Sequence, residues 1–546
     1  MEVGKMAFLL HQLLSESAAR YPDKEAVVFK DDAVSYAELE DESNRLAYAL
    51  SETGIKKGGP VGIYLNRSIA SITALFGILK AGAAYVPIDP FCPPGRLHYI
   101  LNKCGITCLI TSQEKLKALE GQSPEHSSLE CALVLGGLTA DSGLMASVKA
   151  LDWQRIRASA RKDPPCMNAV DTDLAYILFT SGSTGNPKGV MLSHLNALTF
   201  VTSAHDLFQV VADDRFSNIC PLHFDMSVFD LFVALKAGAT VVVIPESTTM
   251  FPVKLAEAIA KNDISVWNSV PSALSLLATY KDLARHDLSS LRLVCFAGEL
   301  FPMKYLKRLM EVIPAARFCN MYGQTEANSS LYYWVERSSC DGKTVLPIGR
   351  PMPNFDVFAL DEDGEPVTES EKEGELYVRA STVASGYWNE EGKTENVFVR
   401  NPLRPELNER VYRTGDLVHL DFDGNYVFLG RKDHMIKSRG YRIEIGEIEA
   451  VLSGHPEIKN AIAIPIPDEL IGNRICVVIV PCSPGKIGKN DIVRYCSRQL
   501  PKYMVPEIIE FRDSLPATSS GKVDRQKVSA MVKAPAAAER SKTCKS

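Results

Sequence analysis

Four hydroxyl residues, three glycines and a lysine crowd into one stretch, Leu178-Phe179-Thr180-Ser181-Gly182-Ser183-Thr184-Gly185-Asn186-Pro187-Lys188-Gly189. Glycines let backbone N–H groups approach an anion, hydroxyls add donors and Lys188 adds charge, a combination suited to phosphate. A flexible polar linker has the same composition, so the stretch alone leaves both readings open. Lys522, in Ser519-Ser520-Gly521-Lys522, taken alone reads as a solvated turn residue. The 35 glycines also exclude familiar sites. No two lie two positions apart, so G-x-G-x-x-G is absent. No pair five apart precedes a lysine, and no pair four apart brackets a serine. The common NTPase loop and the hydrolase nucleophile elbow are therefore missing too.

The longer run Leu174-Ala-Tyr-Ile-Leu-Phe-Thr-Ser-Gly-Ser-Thr-Gly-Asn-Pro-Lys-Gly resembles the AMP-forming adenylation superfamily. That superfamily includes acyl-CoA synthetases, luciferases and the adenylation domains of nonribosomal peptide synthetases. Ser35-Tyr36-Ala37-Glu38-Leu39, Leu79 to Pro90, Gly374-Glu375-Leu376 and Gly386-Tyr387-Trp388 match in order. So do Leu500 to Pro506 and Ser519 to Asp524, so the resemblance covers nearly the whole chain. It runs closest to stand-alone amino-acid adenylating enzymes.

The resemblance implies a two-step reaction. A carboxylate attacks the α-phosphate of ATP, giving an acyl-adenylate and pyrophosphate, and a thiol then captures the acyl group. Bringing an anion onto a polyanion requires cations. Lys522 would bridge carboxylate and phosphate, and Lys188 would join Thr180, Ser181, Gly182, Ser183, Thr184 and Gly185 on the phosphates. In Asn320-Met321-Tyr322-Gly323-Gln324-Thr325-Glu326, Tyr322 would lie against adenine with Met321 alongside, and Asn320 would bond the base edge. Thr325 would bond the α-phosphate, and Glu326 would help hold magnesium, a hard ion that takes oxygen ligands. Unaided by the resemblance, this segment is a turn after a strand with a solvated glutamate. Gln324 departs from the proline of most amino-acid-activating members. Asp416, in Tyr412-Arg413-Thr414-Gly415-Asp416, would accept from both ribose hydroxyls, and Arg431 would add a nucleotide contact. Asp433 matches the hinge about which Lys522 withdraws before the thiol arrives. Gly440 would leave room for a pantetheine arm.

The acid is read from His223-Phe224-Asp225-Met226-Ser227-Val228-Phe229. Members activating amino acids place an aspartate at Asp225 to hold the substrate ammonium. Otherwise Asp225 would cap a helix over Val228–Leu235, a role aspartate takes readily. The remaining pocket positions carry across as Met226, Phe229, Asn268, Cys295, Ala297, Met321, Ser329 and Ser330. None is charged, which predicts a small neutral amino acid. An acyl-CoA ligase for an amine-free acid is the enzyme rival. A nucleotide-binding homologue without catalysis is a rival of another class, opposed by the retention of Lys522, Asp416, Glu326 and Lys188.

The elements that must position these residues alternate between strand and helix, which predicts an α/β protein. Ala26–Phe29, Val61–Tyr64 and Ala175–Phe179 read as strands, and Phe318–Met321 as another. Ile69–Ala81 reads as a helix ended by Gly82, and a further helix is expected from about His194. The β-branched run Thr240–Ile244 predicts a buried parallel strand. Ile445, Ile448, Val451 and Leu452 share a helical face, predicting a helix over 446–453 packed on a sheet. Residues 112–165 carry weaker patterns and read as variable surface. By the resemblance, residues 1–432 form a large adenylation domain of layered α/β subdomains. Residues 433–528 form a small mobile α+β domain carrying Lys522, and 529–546 a flexible tail.

Composition narrows the partners. Hydrophobic residues are 46% and charged residues 23% of 546, the mix of a chain with a large core. A net charge of −6 offers no field for nucleic acid. No apolar run approaches the ~18 residues of a membrane helix. Thirteen cysteines without a C-x-x-C pair read as reduced, mostly buried thiols, hence a cytoplasmic protein. A monomer is expected, with no membrane partner. The eighteen residues after Val528 are too few for a carrier domain, against a floor of about 50. The thiol is therefore expected on a separate phosphopantetheine carrier protein or on coenzyme A, and the amino-acid reading favours the carrier.

Overall fold

Thr240–Val243, the β-branched run, is buried along its whole length and pairs in parallel with Arg215–Asn218 and with Glu25–Phe29. A strand covered on both faces has no need of polar alternation. The computed structural model describes residues 7–120, 128–135, 148–159, 162–163, 165, 168–182, 185–337, 345–433, 435–483, 485–516 and 524–532. Ser183, Thr184 and Lys522 lie outside the described residues. The chain divides into two units. The first comprises Met1–Pro90, Leu97–Thr180 and Lys188–Lys432, and the second gathers Phe91–Arg96, Ser181–Pro187 and Asp433–Ser546.

Among the described residues the first unit holds sheets of nine, eight and five strands. In the nine-stranded sheet a parallel centre is flanked by antiparallel edges, Asp32–Ser35 on one side and Asn328–Val335 with Arg350–Pro351 on the other. The eight-stranded sheet contains Pro60–Tyr64, Ala84–Pro87 and Leu174–Thr180, with the helix Ile69–Lys80 leading from the first to the second. That helix is apolar and buried nearly all round and starts at Ser68, whose hydroxyl accepts from Ser71 N–H. The weakly patterned stretch after residue 112 is not all surface: Cys131–Leu135 and Lys149–Asp152 extend the same sheet in parallel, and Leu133 and Trp153 are buried. Cys131–Leu135 is a short continuous apolar run without alternation, which periodicity alone does not tell from a helix segment, and Lys149–Asp152 is a four-residue edge strand.

In the second unit a helix, Ile445–Ser453, packs its Ile448 and Leu452 against Ala463, Val477 and Ile479 of a three-stranded sheet. Before it lies the hairpin Met435–Ser438 with Tyr441–Glu444, closed by Arg439 and Gly440 at φ 52° and 79°. Two successive positive φ values make the turn whose twist suits a tight hairpin. The expected tail starts too early in the sequence reading. Residues 525–532 are helical, and Val528 and Val532 are buried together on Ile462 and Val478. Residues 533–546 lie outside the described residues.

Candidate active site

The glycine-rich loop joins two antiparallel strands, Leu174–Thr180 and Lys188–Ser193, with Thr180 opposite Lys188. The expected helix starts at His194, capped by Ser193, but the strand Lys188–Ser193 precedes it. In the first unit, Thr180 Oγ1 is buried without a hydrogen-bond partner. Lys188 Nζ donates to the Tyr387 hydroxyl at 2.7 Å and lies 3.2 Å from the Glu326 carboxylate. Tyr387 in turn donates to Glu326 at 2.7 Å. Tyr387 stood in a matched motif but had no assigned role. Its place between a lysine and a fully buried glutamate gives it one: it orients both, while the two charges neutralise each other. In the second unit, Ser181 Oγ donates to the Arg442 carbonyl at 2.7 Å. Arg96 pairs with the buried Glu447, whose carboxylate also receives the Gly182 N–H. The loop amide thus already holds an anion, one supplied by the chain.

The strands carrying the pocket positions run parallel and in register. Asn268 lies beside Cys295, Cys295 beside Cys319, and Ala297 beside Met321. Residues two apart on a strand share a face, so Asn268, Cys295, Ala297 and Met321 all belong to one face of the sheet. Phe229 joins the same apolar cluster, between Phe208 and Phe216. Burial, and then the neighbouring Cys319, push the Cys295 thiol well above the usual range, so it acts as an apolar wall. The strand expected to stop at Met321 continues to Gln324, with its register shifted between Tyr322 and Gly323. A Cβ on Gly323 would sit 2.0 Å from the Asn328 carbonyl oxygen, so only glycine fits. Thr325 and Glu326 occupy the ensuing turn, which ends at Asn328 with φ 58°. Ser330 is buried and donates to the Asn328 carbonyl, while Ser329 is half-buried.

Asp225 stands at the N-cap of the short helix Met226–Val228, yet its side chain makes no capping bond. It accepts instead from the Thr325 hydroxyl at 2.9 Å. The helix-cap reading of this aspartate therefore fails on geometry, and the two segments that carry Asp225 and Thr325 are brought together. Directly after the helix, Phe229–Val233 forms a π-helical turn, a rare conformation concentrated at functional sites. It buries Asp230 completely. Burial pushes this carboxyl up to about 8 against the opposing bonds from Asn268, at 2.7 Å, and Asn218. Asp230 was missed in the sequence because a carboxylate one residue past the pocket position Phe229 looks like the polar side of a helix. Asn268 Nδ2 is held by Asp230, and its Oδ1 is buried without a partner.

Asp416 faces Arg431 across the strands Arg410–Leu420 and Tyr426–Arg431, and the two form a buried ion pair. Its other oxygen accepts from the Tyr322 hydroxyl and from Gln324 Nε2 at 2.6 Å. Burial first, then the Asp416 charge, push the Tyr322 hydroxyl well above its ordinary range, so it stays a donor. Asn320 Nδ2 donates to the Pro347 carbonyl at 2.9 Å. The first unit therefore joins Tyr322 and Asp416, Thr325 and Asp225, and Glu326 and Lys188. In the second unit Asp433 accepts from the Met435 N–H, and Gly440 lies in the hairpin turn, where positive φ is a further reason for glycine.

The family model for AMP-binding enzyme matches residues 14–388, and that for the AMP-binding enzyme C-terminal domain matches 447–522. The L-proline--[L-prolyl-carrier protein] ligase of Pseudomonas fluorescens is 35% identical over 517 residues, covering 95% of this chain and 98% of that one. The ligase of the same name from Streptomyces coelicolor is 34% identical over 520 residues, covering 95% of each chain. The crystal structure of IdnL1 is 28% identical with a TM-score of 0.77, covering 94% of this chain and all of that one. The chain belongs to the AMP-binding enzyme family and is an AMP-forming ligase.

Proposed function

We propose that this enzyme activates a small neutral amino acid as its aminoacyl-adenylate and passes it to the phosphopantetheine thiol of a separate carrier protein. The observation that carries the reading is Asp225. Its carboxylate makes no helix-capping bond and is held by Thr325, and it directly precedes Met226, a pocket position carried across with Phe229, Cys295, Ala297 and Met321. A half-buried carboxylate beside these pocket positions suits an ammonium or a secondary ammonium. L-Proline leads the candidates, because two full-length relatives bear that name and the pocket positions other than Asp225 include no charged residue.

In the first step a carboxylate oxygen of the amino acid bonds to the α-phosphorus and the bond to pyrophosphate breaks. Once the substrate ammonium pairs with Asp225, the Thr325 hydroxyl turns its one proton to the α-phosphate, Lys188 and the loop from Thr180 to Gly185 take the phosphates, and Lys522 stabilises the charge that builds between the reactants. Asn320, Met321 and Tyr322 hold adenine, and Asp416 with Arg431 holds the ribose. In the second step the thiol sulfur bonds to the acyl carbon and AMP leaves. Asp433 serves as the hinge between the steps and Gly440 admits the arm. Glu326, a hard oxygen ligand, would help hold magnesium. One carboxylate with substrate oxygens and water is an ordinary magnesium set. The ion supplies neutralising charge on the phosphates. The buried thiols, nine of the ten described cysteines, support a cytoplasmic location.

ATP–pyrophosphate exchange across a panel of amino acids and amine-free carboxylic acids tests this. Exchange led by proline or another small neutral amino acid is expected. Exchange confined to acids without an amine overturns the amino-acid reading.

A further inference from the structure

Asp416 is ringed by donors from its own chain. One oxygen accepts from Tyr322 and Gln324, and the other from Arg431. A carboxylate offers about four lone-pair sites, so three strong donors leave about one. A ribose diol brings two hydroxyls. One acceptor is missing.

A spare acceptor stands next to it. Gln324 donates to both Asp416 and Tyr322 at 2.6 Å, is only 6% exposed, and its Oε1 is buried without a partner. A buried oxygen with no donor is destabilising, and in an otherwise satisfied network it marks where a donor is wanted. We propose that Gln324 is a specificity-determining residue of the nucleotide site: its amide nitrogen holds Tyr322 and Asp416, and its Oε1 accepts one ribose hydroxyl while Asp416 accepts the other. This rests on the reading of Asp416 as the ribose residue.

Calorimetric titration of the full chain with ATP, 2′-deoxyATP and 3′-deoxyATP separates the possibilities without needing the amino acid. The wild type is expected to bind both deoxynucleotides more weakly than ATP. Gln324→Met should bind ATP about tenfold more weakly and lose its discrimination against one deoxynucleotide while keeping it against the other. Gln324→Leu, checked alongside by thermal melting, gives the same measurement if the methionine variant misfolds. Unchanged discrimination against both deoxynucleotides in a folded variant overturns the inference alone. An equal loss for all three nucleotides overturns it too, since that is the mark of general damage. A wild-type chain that binds no ATP removes the ribose reading and this inference together.

Discussion

Asp225 and Lys522 act at different moments of the proposed reaction, and single substitutions separate them. Asp225→Ala leaves a substrate ammonium without its partner in a desolvated pocket, where loss of a charged hydrogen bond costs about 1.5–3 kcal/mol. The KM for the amino acid should rise by about ten- to a hundredfold in pyrophosphate exchange, with ATP affinity nearly kept. Thr325→Val, which removes the 2.9 Å bond that holds Asp225, should give a smaller loss of the same kind plus a fall in kcat. Lys522→Ala should lower the exchange rate by at least about a hundredfold with ATP binding retained, because its charge is wanted in the transition state. Undiminished exchange in the lysine variant would remove that role.

At the scale of elements, the turn Phe229–Val233 stores a titration. Asp230 moves from an ordinary carboxylate value of 3.8 up to about 8 on folding. The folded chain therefore keeps a proton that the unfolded chain releases, and stability falls as pH rises from about 4 to about 8, by at most about 1.4 kcal/mol per unit from this group. Arg67 opposes the shift from nearby, as do the amides of Asn268 and Asn218. Melting temperature against pH should slope downward over that window, and Asp230→Asn should flatten it; an unchanged slope in the variant would place the cause elsewhere. Elements with strong patterns were legible in the sequence: Thr240–Val243 by its β-branched run and Ile445–Ser453 by its helical face. Linear patterns did not reveal what depends on long-range packing. The bond between Asp225 and Thr325 spans a hundred positions, and Tyr387 meets Lys188 only through the pairing of Gly386–Tyr387 with Val190 and Met191. A π-helical turn has no periodicity of its own to read.

For the molecule as a whole, the two half-reactions should come apart at the hinge. Asp433→Pro is expected to retain pyrophosphate exchange and to lose most loading of a pantetheinylated carrier, followed by intact-protein mass; equal loss of both would count against a two-position cycle. A second consequence concerns how such an enzyme can be spliced. The second unit is assembled from three separated stretches, so a graft that replaces everything after Lys432 with a relative's sequence carries over only part of it. Phe91–Arg96 and Ser181–Pro187 stay behind with the host. A donor lacking an acid at position 447 would strand Arg96 as a buried, unmatched cation, at a cost of about 3–5 kcal/mol. Chimeras of this family are therefore better cut as a mosaic of three tiles than at a single crossover.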